Sequence, residues 1–269
     1  MSSSRRLFGA YGPVAVVAGA SEGLGEAFAE VLAGSGLDLV LLARRADVLA
    51  AVGARLGAQY RVKVRTLACD LADPAWHEAL AEATSGLEIG LGVYNAAFSF
   101  VAPLLDRPLA EALRVVDVNV RGPLMFAHAL APAMVARGRG GLVLMSSLAG
   151  FQGAPRLAAY AASKAWNQVL GESLWAELRP AGVDVVVSCP GAIRTPGYRK
   201  TAQRDAPGTL DPADVARATL DALGHGPLVV PGGVNKLAAF MMRRLMSRRG
   251  VVAMMGSQTG ALGEPLQSP

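Results

Sequence analysis

Cysteine and histidine are scarce in this sequence, which has two cysteines and three histidines among 269 residues. Cys69 and Cys189 lie far apart, so we expect no disulfide framework. His77, His128 and His225 are not clustered, and the cysteines are not spaced as metal ligands, so we expect no metal site. This usage is typical of a reducing compartment and predicts a cytoplasmic protein.

The sequence also has no long apolar run and no strong charge bias. No stretch reaches the roughly 18 uncharged apolar residues that a membrane-spanning helix needs, and residues 1–6 have no apolar core of the signal-peptide kind. The formal net charge is +5, and the densest basic run, at 243–249, has no interleaved aromatic residues. These features favour neither a transmembrane protein nor a nucleic-acid partner.

Apolar residues are plentiful: 52% of the chain is hydrophobic and 17% is charged, enough for a large core. Short apolar runs alternate with helical patterns. This predicts an α/β fold, a Rossmann-like doubly wound sheet of about seven parallel strands with helices on both faces. We expect a tail at 1–13, the main domain at 14–232 and a C-terminal helical extension at 233–269. The expected strands lie at 14–18, 37–43, 61–69, 91–94, 142–145, 183–188 and 228–230.

A glycine-rich turn with Gly19, Gly23 and Gly25 joins the first strand to a helical pattern. In a βαβ unit such glycines let the backbone approach a pyrophosphate, and the helix N-terminus offers N–H groups and a positive dipole. The turn therefore predicts a dinucleotide site, a tight turn at a crowded crossing being the alternative.

Arg44 and Arg45 follow the second strand, where a site that binds an unphosphorylated ribose usually has an acidic residue. Two guanidinium groups suit a 2′-phosphate by charge and geometry. We therefore expect NADP rather than NAD. A basic helix start on the surface is the alternative.

Tyr160 and Lys164 are four residues apart in a segment of helical pattern, so they lie on one helix face. An ammonium beside a phenol favours the phenolate and lowers the pKa of tyrosine from its usual ~10. This predicts that Tyr160 donates and accepts a proton near neutral pH. A half-buried tyrosine beside a solvated lysine would have the same spacing.

Polar residues follow three other predicted strands. Asp70 is placed to accept a hydrogen bond from an adenine amine. Asn95 and Ala96 follow the fourth strand, where small residues let a ribose pass close or simply pack. Ser146 and Ser147 follow the fifth strand, at the edge where ligands bind in such sheets.

The helical pattern at 111–137 contains Gly122 and Pro123 in its interior. Because proline removes a backbone hydrogen bond, we expect a kink just after Asn119. A carbonyl freed there could hold a water for proton delivery. An asparagine that caps its own distorted turn is the alternative.

Two segments in the C-terminal third of the chain are candidates for contact with the substrate. Residues 196–209 have no clear period and are long enough for a lid, in which Arg199, Lys200 and Arg204 either attract an anionic substrate or are simply solvated. Residues 234–255 combine apolar and basic side chains. We expect a helix that packs over the substrate pocket or a neighbouring subunit, with a basic amphipathic helix on a membrane as the alternative.

The order of these motifs over residues 11–232 resembles the short-chain dehydrogenase/reductase family. The family's Thr-Gly-x-x-x-Gly-x-Gly turn is matched at 18–25 by Ala-Gly-Ala-Ser-Glu-Gly-Leu-Gly, with alanine in place of threonine. Its Asn-Asn-Ala-Gly segment is matched more loosely by Tyr-Asn-Ala-Ala at 94–97. Pro-Gly-Ala-Ile-Arg-Thr at 190–195 matches the segment that holds the nicotinamide carboxamide. The chain looks most like bacterial relatives of 3-ketoacyl and 17β-hydroxysteroid reductases.

The resemblance implies an NADP(H)-dependent oxidoreductase that acts on a carbonyl or alcohol of an apolar small molecule. Tyr160 would donate the proton, Ser147 would hydrogen-bond the substrate oxygen, Lys164 would lower the tyrosine pKa and bind the nicotinamide ribose, and Asn119 would position a water. Family members commonly form homodimers or homotetramers through two long helices. One alternative function is a non-catalytic NADP-binding sensor or scaffold, although it has no need of the catalytic residues. Another is a membrane-associated reductase of lipid ketones.

The implied catalytic residues are Asn119, Ser147, Tyr160 and Lys164. The implied cofactor-binding residues are Gly19, Ser21, Glu22, Gly23, Leu24, Gly25, Arg44, Arg45, Asp70, Leu71, Asn95, Ala96, Tyr160, Lys164, Pro190, Gly191, Ile193 and Thr195. The implied substrate-binding residues are Phe98, Ser147, Leu148, Phe151 and Tyr160.

Overall fold

The computed structural model describes residues 3–201 and 204–260, and within them seven strands form one parallel sheet. The strand order is β3-β2-β1-β4-β5-β6-β7. The doubly wound fold predicted from the sequence is confirmed, and each strand boundary lies within three residues of its predicted place. The strands are β1 (Val14–Ala18), β2 (Asp38–Ala43), β3 (Val64–Ala68), β4 (Ile89–Tyr94), β5 (Gly140–Met145), β6 (Val183–Ser188) and β7 (Leu228–Val229).

Helices cover both faces of the sheet, because the central strands are apolar on both sides. The helices are α1 (Ser3–Tyr11), α2 (Gly23–Gly34), α3 (Ala46–Tyr60), α4 (Trp76–Thr84), α5 (Leu109–Val116), α6 (Gly122–Arg137), α7 (Ala158–Leu178), α8 (Pro196–Thr201), α9 (Pro212–Asp221), α10 (Gly233–Arg244) and α11 (Arg248–Gly260). Helices α1, α2, α3 and α9 pack on one face, and α4, α6 and α7 pack on the other. Every residue of β1 is therefore buried.

The strand order reverses between β1 and β4, which are neighbours in the sheet. The chain leaves these two strands in opposite directions, so a crevice opens at their carboxyl ends. Doubly wound sheets bind ligands at this point. Gly19 and Asn95 come directly after the two strands and lie at the crevice.

The N-terminal segment is a packed helix, so the tail expected at 1–13 is wrong for the described residues. Helix α1 buries Leu7 and Tyr11, which lie one turn apart. The Tyr11 hydroxyl donates a hydrogen bond to Oδ2 of Asp184 on β6 at 2.7 Å. Among the described side chains of this helix, Leu7 and Tyr11 are the buried ones, and two positions are too few to form a clear helical pattern.

The helix expected at 111–137 is interrupted by a π-helical turn at Asp117–Arg121, which separates α5 from α6. The predicted break near Asn119 is present as this π turn. Pro123 lies in the first turn of α6, directly after it. The Tyr94 hydroxyl on β4 donates to the Val118 carbonyl at 2.7 Å. It packs so closely on Gly122 that a Cβ there would collide with it.

In place of the one helix expected over 234–255, the described part of the C-terminal extension, residues 233–260, has two helices. The backbone N–H groups of Leu245 and Met246 both donate to the Met241 carbonyl, which ends α10. The Ser247 hydroxyl then accepts the N–H of Gly250 at 3.2 Å, an N-cap that starts α11. Residues 261–269 of the extension lie outside the described residues.

Candidate active site and cofactor cleft

A cleft of about 780 Å³ lies at the carboxyl edge of the sheet. It is lined by all of the expected cofactor-binding residues except Gly25. Gly25 instead packs behind the turn, where a Cβ would collide with the Gly19 carbonyl. Their roles in binding stay predictions, although the structure brings them to one surface.

The glycine turn has the shape and the free donors that a pyrophosphate needs. Gly19 and Gly23 adopt left-handed φ angles of 82° and 60°, which a side chain would strain. A Cβ on Gly19 would also press on the backbone of Ala96. Helix α2 starts at Gly23, and no side chain hydrogen-bonds its first N–H groups. A dinucleotide therefore fits this turn by shape and by its unpaired donors.

Two neighbouring segments hold the glycine turn in place. The Asn95 side-chain amide donates to the Gly19 carbonyl at 3.1 Å. Thr195 lies against Gly23 from the other side, so the segment after β6 closes over the turn. This contact explains why Thr195 lines the cleft although it is far along the chain from the glycines.

Arg44, Arg45 and Asp70 line the end of the cleft where the adenosine of a dinucleotide is expected, which we call the adenosine end. The two arginines have different partners. Arg45 forms a salt bridge with Glu22 at 2.9 Å and a long hydrogen bond of 3.4 Å to the Ser21 hydroxyl. Within the described residues, no salt bridge of Arg44 is recorded, and its side chain is exposed. Arg44 is thus the guanidinium that is available to a 2′-phosphate without breaking an ion pair.

Asp70 is paired with Arg114, a residue that the sequence reasoning missed. One guanidinium nitrogen of Arg114 donates to both Asp70 carboxylate oxygens, at 2.7 and 2.9 Å. The guanidinium also lies over the Phe98 ring, 5.5 Å from its centroid. Partial burial raises the pKa of Asp70, but hydrogen bonds from Arg114 and from the Ala72 N–H outweigh it and leave this pKa below its usual value.

Lys164 is buried at the opposite end of the cleft, with 2% of its surface exposed. Its ammonium donates to the Met145 carbonyl at the end of β5, at 2.9 Å, and lies 5.5 Å from the centroid of the Tyr160 ring. Burial disfavours the charged form and lowers the pKa of Lys164 to about 8. The Tyr160 and Lys164 side chains are therefore neighbours, as the helical spacing predicts.

The predicted lowering of the Tyr160 pKa by Lys164 is wrong for this structure. Burial raises the pKa of Tyr160, and a hydrogen bond with Ser147 lowers it by less. The reason is that both groups of the pair are taken out of water, so each favours its neutral form. In this structure the phenol therefore holds its proton at neutral pH.

The two serines after β5 have separate roles in the structure. The Ser146 hydroxyl donates to the Lys164 carbonyl at 2.7 Å and holds α7 against the strand. Ser147 starts a 3₁₀ turn at Leu148–Phe151, accepts the Ala149 N–H at 3.2 Å and reaches Tyr160. Ser147 is thus the serine beside the phenol.

Asn119 is fully buried in the π turn and lies outside the cleft lining. Its side chain accepts the Phe98 N–H at 2.8 Å and donates to the Phe98 carbonyl at 2.9 Å. It also donates at 3.0 Å to the Ser163 hydroxyl, which donates at 2.7 Å to the Tyr160 carbonyl. Asn119 therefore connects the Phe98 loop to α7, and its predicted role with water stays a prediction. Ser163 directly precedes Lys164, and no pattern in the sequence pointed to it.

The expected substrate residues divide into two groups. Phe98, Ser147 and Tyr160 line the cleft, whereas Leu148 and Phe151 lie on the adjacent 3₁₀ turn outside its lining. Phe151 instead carries Arg243 of α10 over its ring, at 5.0 Å from the centroid. A substrate role for Leu148 and Phe151 stays a prediction.

The lid expected at 196–209 has more structure than its sequence pattern indicates. It begins with the short helix α8, and the Tyr198 hydroxyl accepts the Ala206 N–H at 3.0 Å across the loop. Arg199, Lys200 and Arg204 are exposed, as solvated residues would be. Residues 202 and 203 lie outside the described residues.

The second C-terminal helix packs near the substrate end of the cleft. Arg248 donates to the Phe151 carbonyl at 2.7 Å, and Thr259 donates to the Pro155 carbonyl at 2.8 Å. The extension therefore covers the segment that follows Ser147. Among the described residues, no cluster of histidine, cysteine, aspartate and glutamate has the grouping of a metal site.

Comparison with known proteins identifies the family to which this chain belongs. A family model described as "short chain dehydrogenase" matches residues 13–206. The chain is 38% identical over 184 residues to a very-long-chain 3-oxoacyl-CoA reductase of Aspergillus clavatus, a match that covers 67% of this chain and 53% of the relative. This chain thus spans about half the length of the curated reductases that it matches first.

Solved structures are similar over almost the whole chain. A 7beta-hydroxysteroid dehydrogenase superposes with a TM-score of 0.88 at 26% identity, over 93% of this chain and 98% of that one. A short-chain dehydrogenase of Sphingobium yanoikuyae in complex with NADPH superposes with a TM-score of 0.74 at 29% identity, over 92% and 94% of the two chains.

Proposed function

This chain belongs to the short-chain dehydrogenase family of oxidoreductases, whose members bind NAD(P), and we propose that it is an NADPH-dependent reductase of a carbonyl group on an apolar substrate. The reverse reaction is oxidation of the corresponding alcohol. The observation that carries the proposal is the grouping of Tyr160, Ser147 and Lys164 at one end of a cleft whose other end is the glycine turn.

In the proposed mechanism the cofactor supplies the hydride, and the chain supplies the proton and the positioning. Tyr160 donates its phenolic proton to the oxygen that becomes an alkoxide. Its raised pKa keeps that proton in place at neutral pH until the acceptor arrives. Ser147 hydrogen-bonds the same oxygen. Lys164, held by the Met145 carbonyl, provides a positive charge in a site of low dielectric, where it stabilises the developing negative charge.

The preference for NADP over NAD rests on the residues after β2. Arg44 and Arg45 replace the acidic residue that would accept hydrogen bonds from a ribose. Arg44 is exposed and lines the cleft, so it is placed to bind a 2′-phosphate. The similar Sphingobium enzyme is in complex with NADPH, which supports the same choice here.

The proposed substrate class is an apolar ketone or a 3-ketoacyl compound. Phe98 and Tyr160 both line the cleft, and their rings give it aromatic surface. The similar proteins are named for a 3-oxoacyl-CoA and for a hydroxysteroid, both of which carry a large apolar body.

A panel of ketones tests this function. NADPH oxidation, followed by its absorbance, should reveal turnover on apolar ketones and little on small polar ones. NADPH binding should be measured separately by fluorescence. Tight binding without turnover on any ketone would contradict the enzymatic proposal and leave the sensor or scaffold.

Assembly and location stay proposals as well. We propose a homodimer or homotetramer through the two long helices, α6 and α7. Their exposed apolar side chains include Leu124, Val135 and Val169, which a second copy would cover. Cys69 and Cys189 are free thiols, in keeping with the proposed cytoplasmic location.

A further inference from the structure

Helix α10 carries an apolar face that points away from the protein. Asn235 and Ala239 form its buried side. The opposite side has five large apolar residues, each 44–68% exposed. They are Val234, Leu237, Phe240, Met241 and Leu245. Because they recur at helical spacing, they form one continuous strip along the outside of the helix.

The charge around this strip has a single sign. Residues 222–263 contain no aspartate or glutamate and five lysine or arginine residues, which are Lys236, Arg243, Arg244, Arg248 and Arg249. Among residues 3–201 and 204–260, no salt bridge involves any of these five. The positive charge next to the strip is therefore not offset by any acidic residue nearby along the chain.

We propose that α10 lies flat on an anionic lipid membrane surface. The apolar strip would enter the boundary between headgroups and acyl chains, and Lys236, Arg244 and Arg249 would contact the anionic headgroups. Within the part of the chain that the structure describes, none of the helices has the length and apolar character to cross a bilayer. The contact proposed is peripheral, along one helix face.

A second copy of the chain fits this face poorly. A two-fold contact through α10 would bring the arginines of both copies together without an acidic partner, and like charges repel. The exposed leucines on and before α5, Leu105 and Leu109 among them, differ in this respect. They are bordered by charges of both signs, such as the Arg107–Glu111 salt bridge at 2.8 Å. A mixed border suits a protein partner, and a uniformly basic one suits an anionic surface.

Helix α10 lies near the cleft, so contact between this helix and a membrane would bear on how a substrate enters. Arg243 lies over the Phe151 ring, and Arg248 donates to the Phe151 carbonyl. Phe151 ends the turn that begins directly after Ser147. A membrane under α10 would therefore lie beside the substrate end of the cleft, so an apolar substrate could enter from the lipid. This last step rests on the proposed function; the membrane contact itself does not.

Vesicle co-sedimentation of the full chain tests the contact. We expect binding to vesicles of phosphatidylcholine with 30% phosphatidylserine to exceed binding to pure phosphatidylcholine by at least tenfold, since each basic residue near an anionic surface contributes about fivefold. Raising the salt should weaken the binding. The double substitution Leu237→Gln/Leu245→Gln should reduce it by at least tenfold, and Arg244→Gln/Arg249→Gln should reduce it to a similar extent. The matched control, Leu105→Gln/Leu109→Gln, should leave it unchanged, and thermal unfolding should show that all variants are folded.

Three outcomes would overturn the proposal. One is equal or no binding to both kinds of vesicle. Another is loss of vesicle binding in the control variant. The third is a change in oligomeric state, measured by sedimentation velocity, when Leu237 and Leu245 are replaced, since a second copy would then be the occupant. None of these measurements requires turnover, so failure of the proposed function would leave their result intact.

Discussion

The two ends of the cleft hold their polar groups in opposite ways. At the proposed catalytic end Lys164 is 2% exposed, Asn119 is fully buried behind the cleft, and their partners are backbone carbonyls and buried side chains. At the adenosine end the side chains of Arg45 and Glu22 are 51% and 48% exposed. Polar interactions are strong at low dielectric and weak in water. The same kind of contact therefore contributes a larger free energy at the buried end than at the exposed end.

This difference predicts a gradient of effects along the cleft. Substitutions at the catalytic end should have large effects that salt does not change. Substitutions at the adenosine end should have small effects that salt reduces, because exposed charges are screened over about 8–10 Å at ordinary ionic strength. We therefore expect the effects to decrease from the buried end to the exposed end.

Tyr160→Phe should have the largest effect, since it removes the proposed proton donor and leaves the ring. We expect kcat for ketone reduction to fall by about 10³-fold, within the range for loss of general acid catalysis. NADPH binding should change by less than about threefold, because the ring remains. Steady-state kinetics and fluorescence titration measure the two effects separately. Tyr60→Phe, which alters a tyrosine on α3 bonded to Glu30, is the matched control and should leave kcat unchanged. Retention of more than a tenth of kcat in Tyr160→Phe would contradict the assignment.

Lys164→Met should stabilise the fold while it impairs catalysis. The pKa of Lys164 falls from 10.5 to about 8 on folding, so the buried ammonium costs about 3 kcal/mol at neutral pH. Loss of the charge-assisted hydrogen bond to Met145 offsets roughly 1.5–3 kcal/mol of this. We therefore expect the free energy of unfolding at pH 7 to rise by at most about 1.5 kcal/mol, measured by urea denaturation.

The pH dependence of that gain is a sharper test. Between pH 8 and 10.5 the unfolded chain binds a proton at Lys164 that the folded chain has released, so wild-type stability rises with pH in this window. The advantage of Lys164→Met should thus be full below pH 8 and shrink toward pH 10.5. If the difference in the free energy of unfolding between Lys164→Met and the wild type were constant between pH 8 and 10.5, Lys164 would not be desolvated on folding.

The wild-type kcat/KM for reduction should fall above about pH 8 as the ammonium is lost.

The sequence predicts which residues line both ends of the cleft. It does not predict how deeply they are buried or in which direction their pKa values shift. Strand ends, the glycine turn and the Tyr160–Lys164 spacing are local patterns, and the structure brings those residues to one cleft. The direction of the Tyr160 pKa depends on burial by distant segments, which no local pattern contains. The contact between Asn119 and Phe98 joins residues 21 positions apart, and no local pattern predicts it.

Arg44→Ala should have a moderate effect, confined to the phosphorylated cofactor. Loss of one charge-assisted contact with a 2′-phosphate should raise the Kd for NADPH by about tenfold and leave the Kd for NADH within about twofold. The difference should shrink in 0.5 M salt. Arg217→Ala, on the surface of α9 and paired with Asp214, is the control of equal charge and should change neither Kd. An equal loss for both cofactors would show that Arg44 does not read the 2′-phosphate.

Arg114→Gln should have the smallest effect, because its ion pair with Asp70 is partly exposed, at 31% and 40% of the two side chains. Without the guanidinium, the Asp70 carboxylate would repel the phosphates of the cofactor. We expect the Kd for NADPH to rise two- to fourfold at low salt, the range of an exposed ion pair, and to recover at high salt. In an Asp70→Asn background the same substitution should have no effect, since no carboxylate remains to be neutralised. Tighter NADPH binding by Arg114→Gln alone would mean that Arg114 competes with the adenine amine for Asp70. The ion pair would then be a barrier to binding, and the adenosine end would not follow the weak, screened behaviour that its exposure predicts.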